Sequence, residues 1–136
     1  MAAAVVLGAP IAWADDFVVV VSAKNALGYL VRAQVRDAFI GQTKQWPGGA
    51  VVQAVIGDSS SPEFAWLASR IFQQSPPEVL NRIKQEVFRG EMRRPIVAHS
   101  VEDCVSAIQR HDGGIGVVSA ERAKSLPATL AVLNVD

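Results

Sequence analysis

An α/β fold, an open sheet covered by helices, is predicted from three features of the sequence. Phe17-Val18-Val19-Val20-Val21 is a continuous apolar run rich in valine, as expected of a strand buried on both faces. Ser61-Pro62 and Ser75-Pro76 mark helix starts, because serine caps the first turn and proline fits its first position. Strand and helix signals then alternate along the chain, the pattern of covered sheets.

Taken in order, the first strand is followed by a helix over residues 33–40, with Val35, Ala38 and Phe39 on one face and Gly41 suited to terminate it. Its start lacks a good cap at Val31 or Arg32. Trp46-Pro47-Gly48-Gly49 predicts a turn, and residues 51–56 a strand. From Pro62, Phe64, Leu67, Ala68 and Ile71 fall at helical spacing. Ser75 and Glu78 have the capping-box spacing, and that helix stops at Gly90. Residues 95–98 form a short strand. Ser100 caps a helix with Val101, Cys104, Val105 and Ile108 on its apolar face, ended by Gly113-Gly114. Residues 115–118 are a strand, Ser119 caps a short helix, and residues 130–135 are the last strand.

The 136 residues suggest one domain, and the 50% that are hydrophobic suffice for a core. The 13 basic and 13 acidic residues cancel. A neutral chain without a basic run argues against nucleic acid as a partner. Residues 2–11 are uncharged and mostly apolar, and Ala12-Trp13-Ala14 has the small-x-small pattern of a signal-peptidase site. Residues 1–14 are therefore expected to be a signal peptide, although no Lys or Arg precedes the run. The expected location is periplasmic or secreted. Cys104 is the one cysteine; its place on an apolar helix face predicts a buried, inert thiol.

The candidate site lies in Gly57-Asp58-Ser59-Ser60-Ser61-Pro62, between a strand and a helix start. Free N–H groups there, with hydroxyls of Ser59, Ser60 and Ser61, suit an oxyanion. Capping by Ser61 and a simple turn explain the same residues without a ligand. Ser100 gives a second helix start, and Gly113-Gly114-Ile115-Gly116 a third close backbone approach; all three could converge on one anion. Arg89, Arg93 and Arg94 cluster around Gly90, as an anion clamp or as a solvated loop. His99 and His111 stand alone, so no metal and no cofactor are expected. Gly57-Asp58-Ser59 is also similar to the start of one serine hydrolase family, but the later Asp-x-x-His pair is missing. Without a base the serine has no activation, so no enzyme is expected.

Several segments together resemble the substrate-binding proteins of phosphate ABC transporters. Asp37-Ala38-Phe39-Ile40-Gly41 and then Trp46-Pro47-Gly48-Gly49 resemble that family's "(D)-I-F-x-G-…-W-x-x-G" stretch. Phe88-Arg89-Gly90 and Gly113-Gly114-Ile115-Gly116-Val117 resemble later landmarks. The resemblance implies a type II periplasmic-binding-protein-like fold over residues 15–136, a single lobe with a mixed sheet covered by helices. It implies non-catalytic binding of phosphate or a similar small oxyanion, in transport or sensing. The implied contacts are Asp58, Ser59, Ser60 and Ser61, with Ser100. Aligned on the family's "R-S-D-G-S-G-T" loop, Asp58 and Ser60 match, while Ile56 stands at the arginine, Ser61 at the second glycine and Pro62 at the threonine. Val117 replaces a tyrosine. The competing expectation is a protein-interaction module that partners a membrane transporter or sensor.

Overall fold

The structure, a computed structural model, describes residues 16–25 and 29–135. The expected signal peptide at residues 1–14 lies outside them. Strands β1 (Phe17–Ser22), β2 (Tyr29–Leu30), β3 (Gln53–Gly57), β4 (Ile96–Ala98), β5 (Gly114–Ser119) and β6 (Leu130–Val135) form one sheet, ordered β2-β6-β1-β5-β3-β4. β1 runs antiparallel to both β5 and β6, with Val19 opposite Val117 on one side and Leu133 on the other. β3 runs parallel to β5 and β4. The expected mixed sheet is present.

The valine run of β1 is explained by cover on both faces. Val19 and Val21 point to one core cluster and Val20 to the other, all at most 1% exposed, following the two-residue period of a strand. The first face carries α1 (Arg32–Phe39), α2 (Pro62–Trp66) and α3 (Pro76–Phe88), through Val35, Phe39, Phe64, Val79 and Ile83. The second carries α4 (Val101–Arg110), through Cys104, Val105 and Ile108. Each such side chain, fully buried, contributes roughly 1.5–3 kcal/mol. A short α5 (Ala120–Ala123) follows β5.

Local chemistry explains where the helices begin. Ser75 and Glu78 form the reciprocal capping box ahead of α3, and Ser61, Ser100 and Ser119 each accept a bond from the third residue onward. α1 has no such oxygen at Val31. Instead the Gln34 side chain accepts from the Val31 N–H at 3.0 Å. Gly41, at φ 79°, follows the end of α1.

Three boundaries differ from expectation. The helix from Pro62 does not stay regular: Leu67–Phe72 is a wider turn of π type, closed by Gln73 at φ 57°, whose N–H bonds Ala68 O. Both Ile71 and Phe72 are buried there. β3 starts at Gln53, because Val51 makes only an isolated bridge with Gln45 and is 45% exposed. β2, two residues long, carried no sequence signal.

Candidate functional site

The connections of β3 and β4 leave the sheet on opposite faces. The chain after β3 enters α2 on the first face, and the chain after β4 enters α4 on the second. Loops that part in this way leave a crevice at the carboxyl ends of parallel strands, where ligands of open α/β sheets bind. A cleft of about 300 Å³ lies there. Asp58, Ser61 and Glu63 form one wall, His99 and Ser100 the other, and Val117 and Cys104 also line it.

The sheet register brings the walls together. Gly57 pairs with Ala98, so the residues that follow, Asp58 and His99, become neighbours. His99 Nδ1 lies 3.1 Å from Asp58 Oδ1 and 3.2 Å from Oδ2. Both side chains are substantially exposed. The His99 N–H donates to Asp103 Oδ2 at 3.1 Å.

The serines differ in what they can offer. Ser61 Oγ accepts from the Phe64 N–H at 3.1 Å and donates to Asp58 O at 2.7 Å, so its hydroxyl is already engaged. Pro62 has no N–H, Phe64 donates to the cap, and Ala65 N–H reaches Ser61 O. Glu63 therefore supplies the amide left over in the first turn of α2. Ser100 Oγ accepts from Asp103 N–H at 3.0 Å, and a hydroxyl that only accepts can still donate to a ligand. Ser59 and Ser60 are exposed and lie in the turn outside the walls. Of the sequence-selected residues, the cleft thus brings together Asp58, Ser61 and Ser100.

Two lining residues escaped the sequence reading. His99 sits next to the cap Ser100, but its approach to Asp58 depends on strand register across 41 positions. Glu63 is the acid in the first turn of α2. Its charge also reaches Cys104, whose thiol is pushed up to about 12: burial raises it most, a Val117 backbone hydrogen bond lowers it, and Glu63 raises it further. Cys104 is 4% exposed, as its helix face implied.

Two expectations need correction. The third close approach, Gly113-Gly114, does not converge on this cleft. Gln53 pairs with Gly114, so the glycines lie at the amino end of β3, about 13 Å along the strand from Gly57. Gly113 is there because a Cβ would meet Val51 O at 1.8 Å. The arginines do not fold over the cleft either. Arg89 pairs with Glu86 at 3.4 Å, Arg94 O accepts from the Gln53 side chain at 3.2 Å, and Arg93 lines clefts at the amino ends of the strands. Among the described residues, those lining the carboxyl-end cleft include the carboxylates of Asp58 and Glu63 and neither lysine nor arginine.

Among solved structures, the PstS of Borrelia burgdorferi matches with a TM-score of 0.67 at 19% identity, over 90% of this chain and 47% of that one. An ABC-type phosphate transport receptor from Vibrio cholerae matches with a TM-score of 0.65 at 15% identity, over 89% of this chain and 47% of that one. The described residues share the fold of about half of each of these solved proteins. The chain spans about half the length of these phosphate-transport proteins. No protein-family model matches the sequence, and no curated protein matches it. Of the segment similar to the phosphate loop of the substrate-binding proteins, Asp58, Ser61 and Pro62 line the cleft.

Proposed function

We propose that the carboxyl-end cleft binds phosphate or a similar small oxyanion, without catalysis, as part of transport or sensing in the periplasm. The observation that carries this reading is the convergence of Asp58, Ser100 and the first turns of α2 and α4 on one crevice. The Ser100 hydroxyl and the leftover amides would donate. Asp58 would accept a proton carried by the ligand, which favours hydrogen phosphate over sulfate in a cleft that already holds two carboxylates. Ser59 and Ser60 would contact only the outer side of a bound anion. A non-catalytic role fits the surroundings of Ser59, since His99 is directed to Asp58.

Bonds to a charged group contribute about 1.5–3 kcal/mol each, but the two carboxylates repel an anion, so the affinity should be on the order of micromolar to millimolar. Titration of isotopically labelled protein with phosphate, sulfate and acetate tests this. Phosphate should shift the amides of Gly57 to Phe64 and of His99 to Asp103. Asp58→Ala should weaken phosphate and abolish its advantage over sulfate. The second reading, an open face that meets a membrane transporter or sensor, draws on the carboxylates and missing cations of the same walls. It replaces the first if no small anion moves these amides.

A further inference from the structure

We propose a second binding site, at the amino end of the same sheet, for a small ligand that bears a carboxylate or phosphate group. It is an open surface cleft of about 360 Å³ between the segment entering β3, the loop before β4 and the carboxyl end of α4. Arg93 and Arg110 both line it, with His111 and Gln53. This size falls at the small end of ligand pockets, roughly 300–1,000 Å³.

Several arginines of the chain have carboxylate partners, and among the described residues these two do not. Arg82 and Arg89 share Glu86, Arg36 pairs with Asp37, and Arg122 pairs with Glu102. Arg93 and Arg110 are exposed and, among the described residues, neither has an ion pair or a side-chain hydrogen bond. A single free arginine is ordinary on a surface. Two that line one cleft place several unmet, planar donors toward the same space, the arrangement that matches carboxylate and phosphate oxygens. Asp112 also lines this cleft, but its carboxylate is drawn to Lys24 at 3.4 Å. Arg110 lies in the last turn of α4, whose negative end favours a cation there.

The wall behind the arginines is fixed. Gln53 N–H donates to Gly113 O, its side chain donates to Ala54 O and Arg94 O, and Trp46 Nε1 donates to Gly113 O at 2.9 Å. Fixed walls lower the ordering cost of binding. Val51, 45% exposed, gives an apolar flank. A short aliphatic stem with an acidic end, as in succinate, meets both features.

The site is independent of the carboxyl-end cleft, and one experiment reads both. Labelled protein is titrated with succinate and with inorganic phosphate, against sodium chloride of equal ionic strength. At least one of the two anions should give saturable shifts at Val51 to Gln53 and Arg110 to Gly113 that chloride does not give. Arg93→Gln and Arg110→Gln should each weaken that binding about tenfold, the loss of one charge-assisted bond. Arg93→Lys should recover only part, because the ammonium keeps the charge but not the fork. Asp58→Ala should leave these shifts unchanged. The proposal is overturned if neither anion moves these amides beyond the chloride control, or if the shifts survive in the double Arg93→Gln, Arg110→Gln variant. Loss of shifts at Gly57 to Phe64 alone counts against the carboxyl-end cleft and not against this site.

Discussion

At the carboxyl ends of β3 and β4, polar groups are largely used up within the fold: Ser61 caps α2 and holds Asp58 O, Ser100 caps α4, and Asp58 meets His99. At the amino ends of β3 and β5 the backbone is locked by Gln53, Trp46 and Gly113, yet Arg93 and Arg110 reach an open cleft with no partner of their own among the described residues. One end offers a few neutral donors beside carboxylates; the other offers unsatisfied cations on a rigid frame. A strand end in the expected place thus supplies position, while the charge left unpaired decides what can be bound there. Position and charge lie at opposite ends of this sheet.

The largest effect expected concerns the carboxyl-end cleft. With its thiol at about 12 rather than the ordinary 9.0, Cys104 at neutral pH holds about a thousandfold less thiolate. Native protein should label with a thiol reagent far more slowly than urea-unfolded protein, by a factor on the order of that difference. Rapid native labelling would mean that the cleft is open to the core and that the comparison is drawn at the wrong depth.

Backbone packing separates the ends next. Gly113→Ala forces a Cβ into Val51 O at 1.8 Å, a backbone atom that cannot step aside. It should cost about 3 kcal/mol in chemical denaturation. Gly57→Ala meets Ser61 Oγ at 2.4 Å, a side chain that can rotate at the expense of its cap, so about 1–2 kcal/mol is expected. Equal losses would remove the claim that the amino end is the more rigid. Ser61→Ala should cost about 1 kcal/mol through the α2 cap, whereas Ser60→Ala, exposed and outside the walls, should cost little.

The smallest effect sharpens the comparison most. Arg93→Gln and Arg110→Gln should change stability by no more than about 0.5 kcal/mol, as for surface positions without a structural role. A loss well above that would show that these guanidiniums hold the fold together.

Most of the architecture is legible locally. The valines of β1, the serine caps at 61, 75, 100 and 119, and the helical spacing from Phe64 to Ile71 depend on near neighbours in sequence, and the structure has a strand or helix at each. The π-type turn at Leu67–Phe72 and the two-residue β2 carry no such signature, because side-chain packing against the sheet and pairing with β6 create them. Val51 reads as strand by composition, yet its backbone crosses against Gly113 instead of joining the ladder.

The sequence by itself determined the α/β alternation, the helix starts, the buried thiol and the loop at Asp58, since each rests on interactions within a few residues. Only the tertiary structure decided which of those residues share a surface. Pairing of Gly57 with Ala98 put His99 beside Asp58, while pairing of Gln53 with Gly114 carried the glycines to the other end of the sheet. Arg93 and Arg110, 17 positions apart in the chain, meet one cleft because a strand and a helix return the chain to the same edge. Register and crossover are set by long-range packing, which no local window of sequence contains.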